Sequence, residues 1–500
     1  MMTINMGRSA ISLCVFSFFS ASVAGAAVTP EDVWENWKSQ AAASAYEIVT
    51  TSTERQGNSL IVEGVEMRQN TAAQTGRIVM GRLEFRDLGN GTVQVIVPET
   101  YAMTMSGPET PEATGTMRQI GPEIIVSGTP ENMRHDIKMA SFEMLFDTTV
   151  PEDDDATVSI VVAVEGAEGH MLTEGRSVEN VTYDMKATRG RVSIKGEGDS
   201  EFSMDLNAEA VAMVGEMSSI ASVAKLANPD DIGKALADGL AMKGTFTAGA
   251  STIGIFATDP EGAGTNIDLA TTGAGAEFGM SKAGMIYGLR ADGLDLTLSG
   301  DTIPMPEVTA TMTEANMRFD IPLTKGDAPQ DFNVLTRLVD LALPDDLWAM
   351  VDPMQMMPRV PATLIVDVGG KVKLIKDLMD APAEDESIPG ELQALDLREL
   401  QVKLIGADLT GTGAFTFDNT DLETFGGMPR PTGAIDLKLI GGNALLDKAI
   451  AMGLIPQDEA MGYRMMMALF ARPGEGEDTL VSKIEVTPEG AVLANGQRIQ

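Results

Sequence analysis

Apolar and polar residues alternate with a period of two along most of the chain from about Leu60 onward. Clear stripes are Val93/Val95/Val97, Val158/Ile160/Val162/Val164 and Val181/Tyr183/Met185/Ala187. The pattern returns in Val192/Ile194, Phe202/Met204/Leu206, Leu294/Leu296/Leu298, Met317/Phe319/Ile321, Phe415/Phe417 and Ile435/Leu437/Leu439. Successive side chains of a strand point to opposite faces, so this spacing predicts half-buried β-strands. One-sided alternation argues for antiparallel pairing, because parallel strands bury both faces and read as unbroken apolar runs. Turn-forming clusters such as Asp87-Leu88-Gly89-Asn90-Gly91 and Arg189-Gly190 predict hairpins between the strands.

Helical spacing punctuates the sheet. Thr29 can cap a helix that opens on Pro30, Glu31 and Asp32 and carries Val33, Trp34, Trp37, Ala41 and Ala45 on one face, and this helix is expected to lie on the body of the domain. Phe332, Leu335, Leu338, Val339 and Ala342 predict a second helix between Pro329 and Pro344. The stretch from Ala208 to Leu240 is helix-prone on both sides of Pro229. Asn443 is placed to cap a helix ending at Gly453, and Asp458 to cap another running to about Ala471. The fold class is therefore α+β and β-dominated: long curved antiparallel sheets, built as meanders, with packed helices. Asn132-Met133-Arg134-His135-Asp136-Ile137 recurs as Asn316-Met317-Arg318-Phe319-Asp320-Ile321. The echo reads either as chance likeness between strands or as two related tandem units, 27–228 with the leading helix and 229–500 with the helix pair. Acidic runs at Pro151 to Asp155 and Pro382 to Glu386 read as solvated loops.

Composition adds the compartment. The 500 residues are 44% hydrophobic and 22% charged, which describes a globular chain and excludes both disorder and a polytopic membrane protein. Lys and Arg number 36 against 73 Asp and Glu, a formal net charge of −37. Nucleic-acid affinity comes largely from Lys and Arg displacing counterions, so nucleic acid is excluded as a partner. No run of consecutive Lys or Arg is present, and membrane contact is expected to be peripheral at most. Arg8 is the only charged residue before position 31, an apolar run spans Ala10 to Val23, and Ala24-Gly25-Ala26 offers small residues to a peptidase. Residues 1–26 thus read as a secretory signal peptide and place the protein in the periplasm. Its removal takes away Arg8 and Cys14, the single cysteine, so disulfides, thiolate metal sites and cysteine nucleophiles are not expected in the mature chain.

The chemistry search finds little. The two histidines, His135 and His170, do not form a metal-binding pair, and each is expected to be structural or at the surface. Each Gly-x-Gly lacks its third glycine and no lysine stands in a Walker context. Ser222-Val223-Ala224-Lys225 matches Ser-x-x-Lys without an accompanying Lys-Thr-Gly. Asp153-Asp154-Asp155 lacks the alternating ligands of a calcium loop. The 33 methionines cluster at Met350, Met354, Met356 and Met357 and at Met461, Met465, Met466 and Met467. They read as core filler where aromatics are few, or as an adaptable lining for a lipid tail. No catalytic, cofactor-binding or metal-binding residue is assigned.

The C-terminal third carries a resemblance. Strands Leu397 to Ile405 and Gly411 to Asp418, the stripe Ile435/Leu437/Leu439 running into the helix at Asn443, and the closing Lys483-Ile484-Glu485-Val486, Gly490, Val492-Leu493 and Asn495-Gly496-Gln497 resemble an uncharacterised alphaproteobacterial envelope family, domain of unknown function 2125. The signal, the early tryptophan helix and the length are similar too. That family in turn resembles the AsmA-like envelope proteins, whose curved sheets form a hydrophobic groove associated with outer-membrane lipid homeostasis. The chain departs from the AsmA-like pattern in having no N-terminal transmembrane anchor. The resemblance implies a non-enzymatic periplasmic protein binding lipid, fatty acid or another apolar ligand in a sheet-lined groove, with Leu296 and Phe319 as candidate lining. An envelope scaffold with a filled core, whose partner is another envelope protein, is the alternative; a periplasmic hydrolase using Ser222 and Lys225, or carboxylates, is a third.

Overall fold

The computed structural model describes residues 27–500 apart from 71–74, 108–112, 151–152, 199, 228–230, 260, 302, 304, 306 and 380–389. The signal segment, Pro229 and the Pro382 to Glu386 run lie outside the described residues. All described strands belong to one antiparallel sheet, and every strand but the first pairs with at least one of its neighbours in sequence. The meander runs on where a junction near Pro229 is expected: strand Phe202–Ser218 pairs with both Ala241–Ala248 and Ser251–Thr258. Among the described residues no pairing joins the first strand to the last, so the sheet is open.

Among the described residues five α-helices decorate the sheet: α1 (Pro30–Ala43), α2 (Ile232–Ala237), α3 (Asp345–Val351), α4 (Gly442–Ala451) and α5 (Gln457–Phe470). In α1 the expected cap is present, with Asp32 N donating to Thr29 Oγ1 at 3.2 Å and Thr29 N to Asp32 Oδ2 at 3.0 Å. Several expectations need correction; one is Asp458, which lies in the first turn of α5 and not at its N-cap, where Pro456 stands. Residues 330–341 form a strand, not a helix; it is held between Val308–Ile321 and Ala362–Leu374, and aliphatics on both its faces imitate helical spacing. Residues 202–218 are strand, so helix is confined to a 3-10 turn over Ile220–Ala227 and to α2. Asn443 lies inside α4, and Asp478 supplies the cap from 34 to 35 residues away, accepting from Asn443 N at 3.2 Å and Ala444 N at 2.9 Å. Asp153 begins a strand, Asp153–Glu174, through a register shift before Thr157.

Arg189-Gly190 makes no hairpin: it lies within the single strand Asn180–Glu197. What it marks is a crease that crosses the sheet. The pairing drops out on one row, where Ala140, Gly166, Thr188 and Ala210 lie side by side, while the register on either side is kept. Left-handed backbone recurs at or close to this row at Gly64, Gly81, Gly121, Gly166, Ala210, Gly293 and Asp340. Gly166 and Gly293 show why glycine is used. Each has a φ near +60°, and an added Cβ would lie 2.7 Å from Thr188 Oγ1 or 2.6 Å from Thr272 Oγ1. A left-handed residue cannot continue a pleated strand, so each strand turns here and the sheet divides into two arms. Arm A holds such segments as 132–139, 180–187 and 211–218; arm B holds 141–150, 189–197 and 202–209.

The alternation changes phase at the crease. Val158, Ile160, Val162 and Val164 give way to Ala167, Gly169 and Met171; Phe202, Met204, Leu206 and Ala208 to Val211, Met213 and Met217; Met285, Tyr287, Leu289 and Ala291 to Leu294, Leu296 and Leu298. A spacing of three replaces two at the bend, which keeps the apolar side chains of both arms on the inside of the fold. The packing around α1 agrees with this. One core cluster joins Val33 and Trp34 to Leu60, Val62, Leu83, Phe85, Val95 and Val126 on arm A, and to Val65 and Tyr101 on arm B. Ile48, Ile78, Met80 and Met117 of arm B pack against the same cluster. Trp34 and Trp37 close on Phe85 with ring centroids 5.6 and 5.5 Å apart. Thus α1 lies in the fold of the sheet and fills its N-terminal end.

Candidate functional site

Beyond α1 the fold is lined but not filled. On arm A the inward positions of the strands from Asn180 to Leu341 are Val, Met, Ala, Gly, Phe, Leu and Ile, with polar side-chain atoms only at Tyr183, Tyr287, Thr336 and, at the start of its strand, Gln330. Met213 faces Phe246, Phe246 faces Ala276, Ala276 faces Leu289 and Leu289 faces Met317, so one apolar row crosses five strands. Among the described residues no hydrophobic side chain between Leu240 and Leu323 is buried. Phe246 is 39% exposed, Tyr287 42% and Leu289 46%, values of a surface and not of a core.

The outward face is charged. Arg318 and Lys243 pair with Glu277, Arg337 with Glu314 and Glu399, and Arg398 with Asp367. His170 belongs to this face, opposite Asp136 and Asp184 across the strands. The echoed segments share the same alternation, with Met133, His135 and Ile137 inward in one and Met317, Phe319 and Ile321 in the other. The strands that carry them run in opposite directions relative to the crease.

The two lining residues expected from sequence both fall on inward positions, on different arms. Leu296, 36% exposed, follows Gly293 on arm B and faces Leu269 and Ala310. Phe319 lies on arm A and faces Tyr287 and Val334. The structure therefore does not bring them together; they stand on either side of the crease. Lys225 of the Ser-x-x-Lys segment pairs with Asp238, and Ser222 is buried on the 3-10 turn. The methionines of α5 fill no core, since Met461, Met465 and Met466 are exposed.

A cavity of about 380 Å3 lies where α1 meets the open stretch, lined by Trp34, Trp37, Gln40 and Ala41 of α1 and Ser44 just after it, by Leu83, Ile124, His135, Ile137 and Met171 of arm A, and by Tyr46, Ile48, Val65, Met67 and Met80 of arm B. His135 is 1% exposed, and its ring nitrogens have no well-formed hydrogen bond beyond a weak approach to the Met171 main chain. Burial holds its pKa down at about 4, with the Met171 main chain and the Asp136 charge opposing. The alternation already places His135 on the same face as Met133 and Ile137. Its enclosure depends on α1, which is distant in sequence.

Among the described residues no helix is long and apolar enough to cross a membrane. No curated protein and no solved structure matches the chain. A family model does match, over residues 203–495, a span that opens in strand Phe202–Ser218 and takes in the unfilled stretch of the fold. With more than half of its length covered, the chain belongs to the bacterial family DUF2125, described as an uncharacterized protein conserved in bacteria.

Proposed function

We propose that this is a non-enzymatic protein of the periplasm that holds a lipid in the fold of its sheet. The observation that carries the reading is the apolar inner surface between Leu240 and Leu323, which no part of the described chain covers. Large uncovered apolar patches are rare on soluble monomers and mark binding surfaces. The lining also favours one kind of occupant. A polypeptide segment would bring backbone N–H and C=O groups into a groove with almost no hydrogen-bonding side chains, at a substantial desolvation cost. An acyl chain has no such groups to satisfy.

Mature protein purified without detergent is expected to carry phospholipid or fatty acid, read by mass spectrometry of an organic extract. Leu296→Glu and Phe319→Glu are each expected to lower that occupancy by placing a charge on the lining. An extract of well-folded protein without lipid, together with no shift in melting temperature on adding lipid, would replace this reading by the scaffold one. The exposed Met461, Met465 and Leu469 of α5 favour a protein contact at the far end of the sheet, and that scaffold role is the second reading. A fluorophosphonate probe is expected to leave Ser222 unlabelled; stoichiometric labelling there would establish a hydrolase.

A further inference from the structure

We propose that the cavity between α1 and the two arms receives the carboxyl end of a single fatty acyl chain, with the His135 imidazole as its hydrogen-bonding partner. The assignment rests on the lipid reading above and names the class of lipid. A buried polar group without a partner is unfavourable, and native structures contain few of them, so the ring nitrogen of His135 that is not turned to the Met171 main chain calls for a partner that enters from outside the chain. His135 is one of the residues that line the cavity, and Trp34, Trp37, Met80, Ile124 and Met171 give it apolar walls suited to methylenes, as in the groove.

The head group follows from what the walls lack. No Lys, Arg, Asp or Glu lines the cavity, so a phosphate-bearing head would be desolvated without a countercharge. A carboxyl group can enter as the neutral acid. At neutral pH the depressed pKa of His135 leaves its ring uncharged, with its N–H toward the Met171 main chain and its other nitrogen bare to accept. A carboxylic acid presents the complementary group, an O–H that an ester lacks. The acyl chain would then run from the closed end at α1 along the open stretch of the groove.

Delipidated full-length mature protein should be titrated with hexadecanoic acid and with its methyl ester, as wild type, His135→Phe and His135→Gln. Wild type is expected to prefer the acid by at least about tenfold, the size of one good hydrogen bond to a buried group. His135→Phe should bind acid and ester alike, and His135→Gln, which keeps a donor and an acceptor, should retain part of the preference. In a His170→Gln background the only imidazole signal in a 15N spectrum is that of His135, and it should move with the acid and not with the ester. An acid preference that survives in His135→Phe, or an imidazole signal unmoved at saturating acid, would overturn the assignment. Ester binding without acid preference sinks the assignment alone, whereas no binding of either compound to wild type sinks the groove reading with it.

Discussion

Among single residues, His135 makes stability depend on pH in a direction that can be worked out. Its folded-state pKa of about 4 lies below the ordinary 6.5. Above pH 6.5 both folded and unfolded chains are neutral at this position and its contribution is complete. As the pH falls toward 4 the unfolded chain takes up the proton first, so stability drops by on the order of 3 kcal/mol over that window. Urea melts at pH 7.5 and 4.5 should therefore show a smaller acid loss for His135→Phe than for wild type, and equal losses would contradict the burial. Gly293 offers a second test. Its φ of +57° and the Thr272 side chain together predict that Gly293→Ala costs about 2 kcal/mol. Thr272→Ala should relieve the steric part and leave about 1 kcal/mol of backbone strain, measured as a double-mutant cycle.

Among the elements, the alternation makes the strands themselves legible, whereas their lengths and breaks are not. Val181 to Ala187 and Val192/Ile194 read as two strands with a turn between them because a change of phase looks like a turn in sequence. Only the neighbouring strands, which change phase on the same row, reveal a bend in one strand. The pattern over 330–341 misleads for a related reason: both faces of that strand carry aliphatics, and period alone cannot separate such a pattern from a helix. The α4 cap is invisible in sequence because Asp478 reaches it from the far side of α5. Burial disfavours the Asp478 charge, but the Ala444 and Asn443 N–H groups and the Asn443 amide hold its pKa below the usual carboxylate range. Asp478→Ala should cost about 1 kcal/mol, as loss of a helix cap does, and a thermal melt with an unchanged midpoint would show that the cap is not needed.

Taken as one body, the sheet is a folded surface with a core at one end and an uncovered lining between Leu240 and Leu323. Delipidated protein should accordingly enhance the fluorescence of an apolar dye such as ANS without any denaturant, and hexadecanoic acid should displace the dye. A native protein that leaves the dye dark would mean that the arms close upon one another in solution. The strong negative charge lies on the outside, where Asp and Glu alternate with the apolar stripes. It keeps a molecule with this much internal apolar surface from associating through its outer face.

Local pattern is enough to establish that the chain is strand-dominated, antiparallel, apolar on one face and charged on the other, because those properties follow from the two-residue period of a strand. It also places α1, whose cap and aromatic face lie within one short segment. Only the assembled sheet reveals that the stripes belong together, that one crease crosses the strands from Ser59–Asn70 to Gln330–Leu341, and that α1 fills only one end. Those facts depend on register between residues far apart in the chain, and a single strand's pattern reads the same whether its apolar face meets a packed core or an open groove.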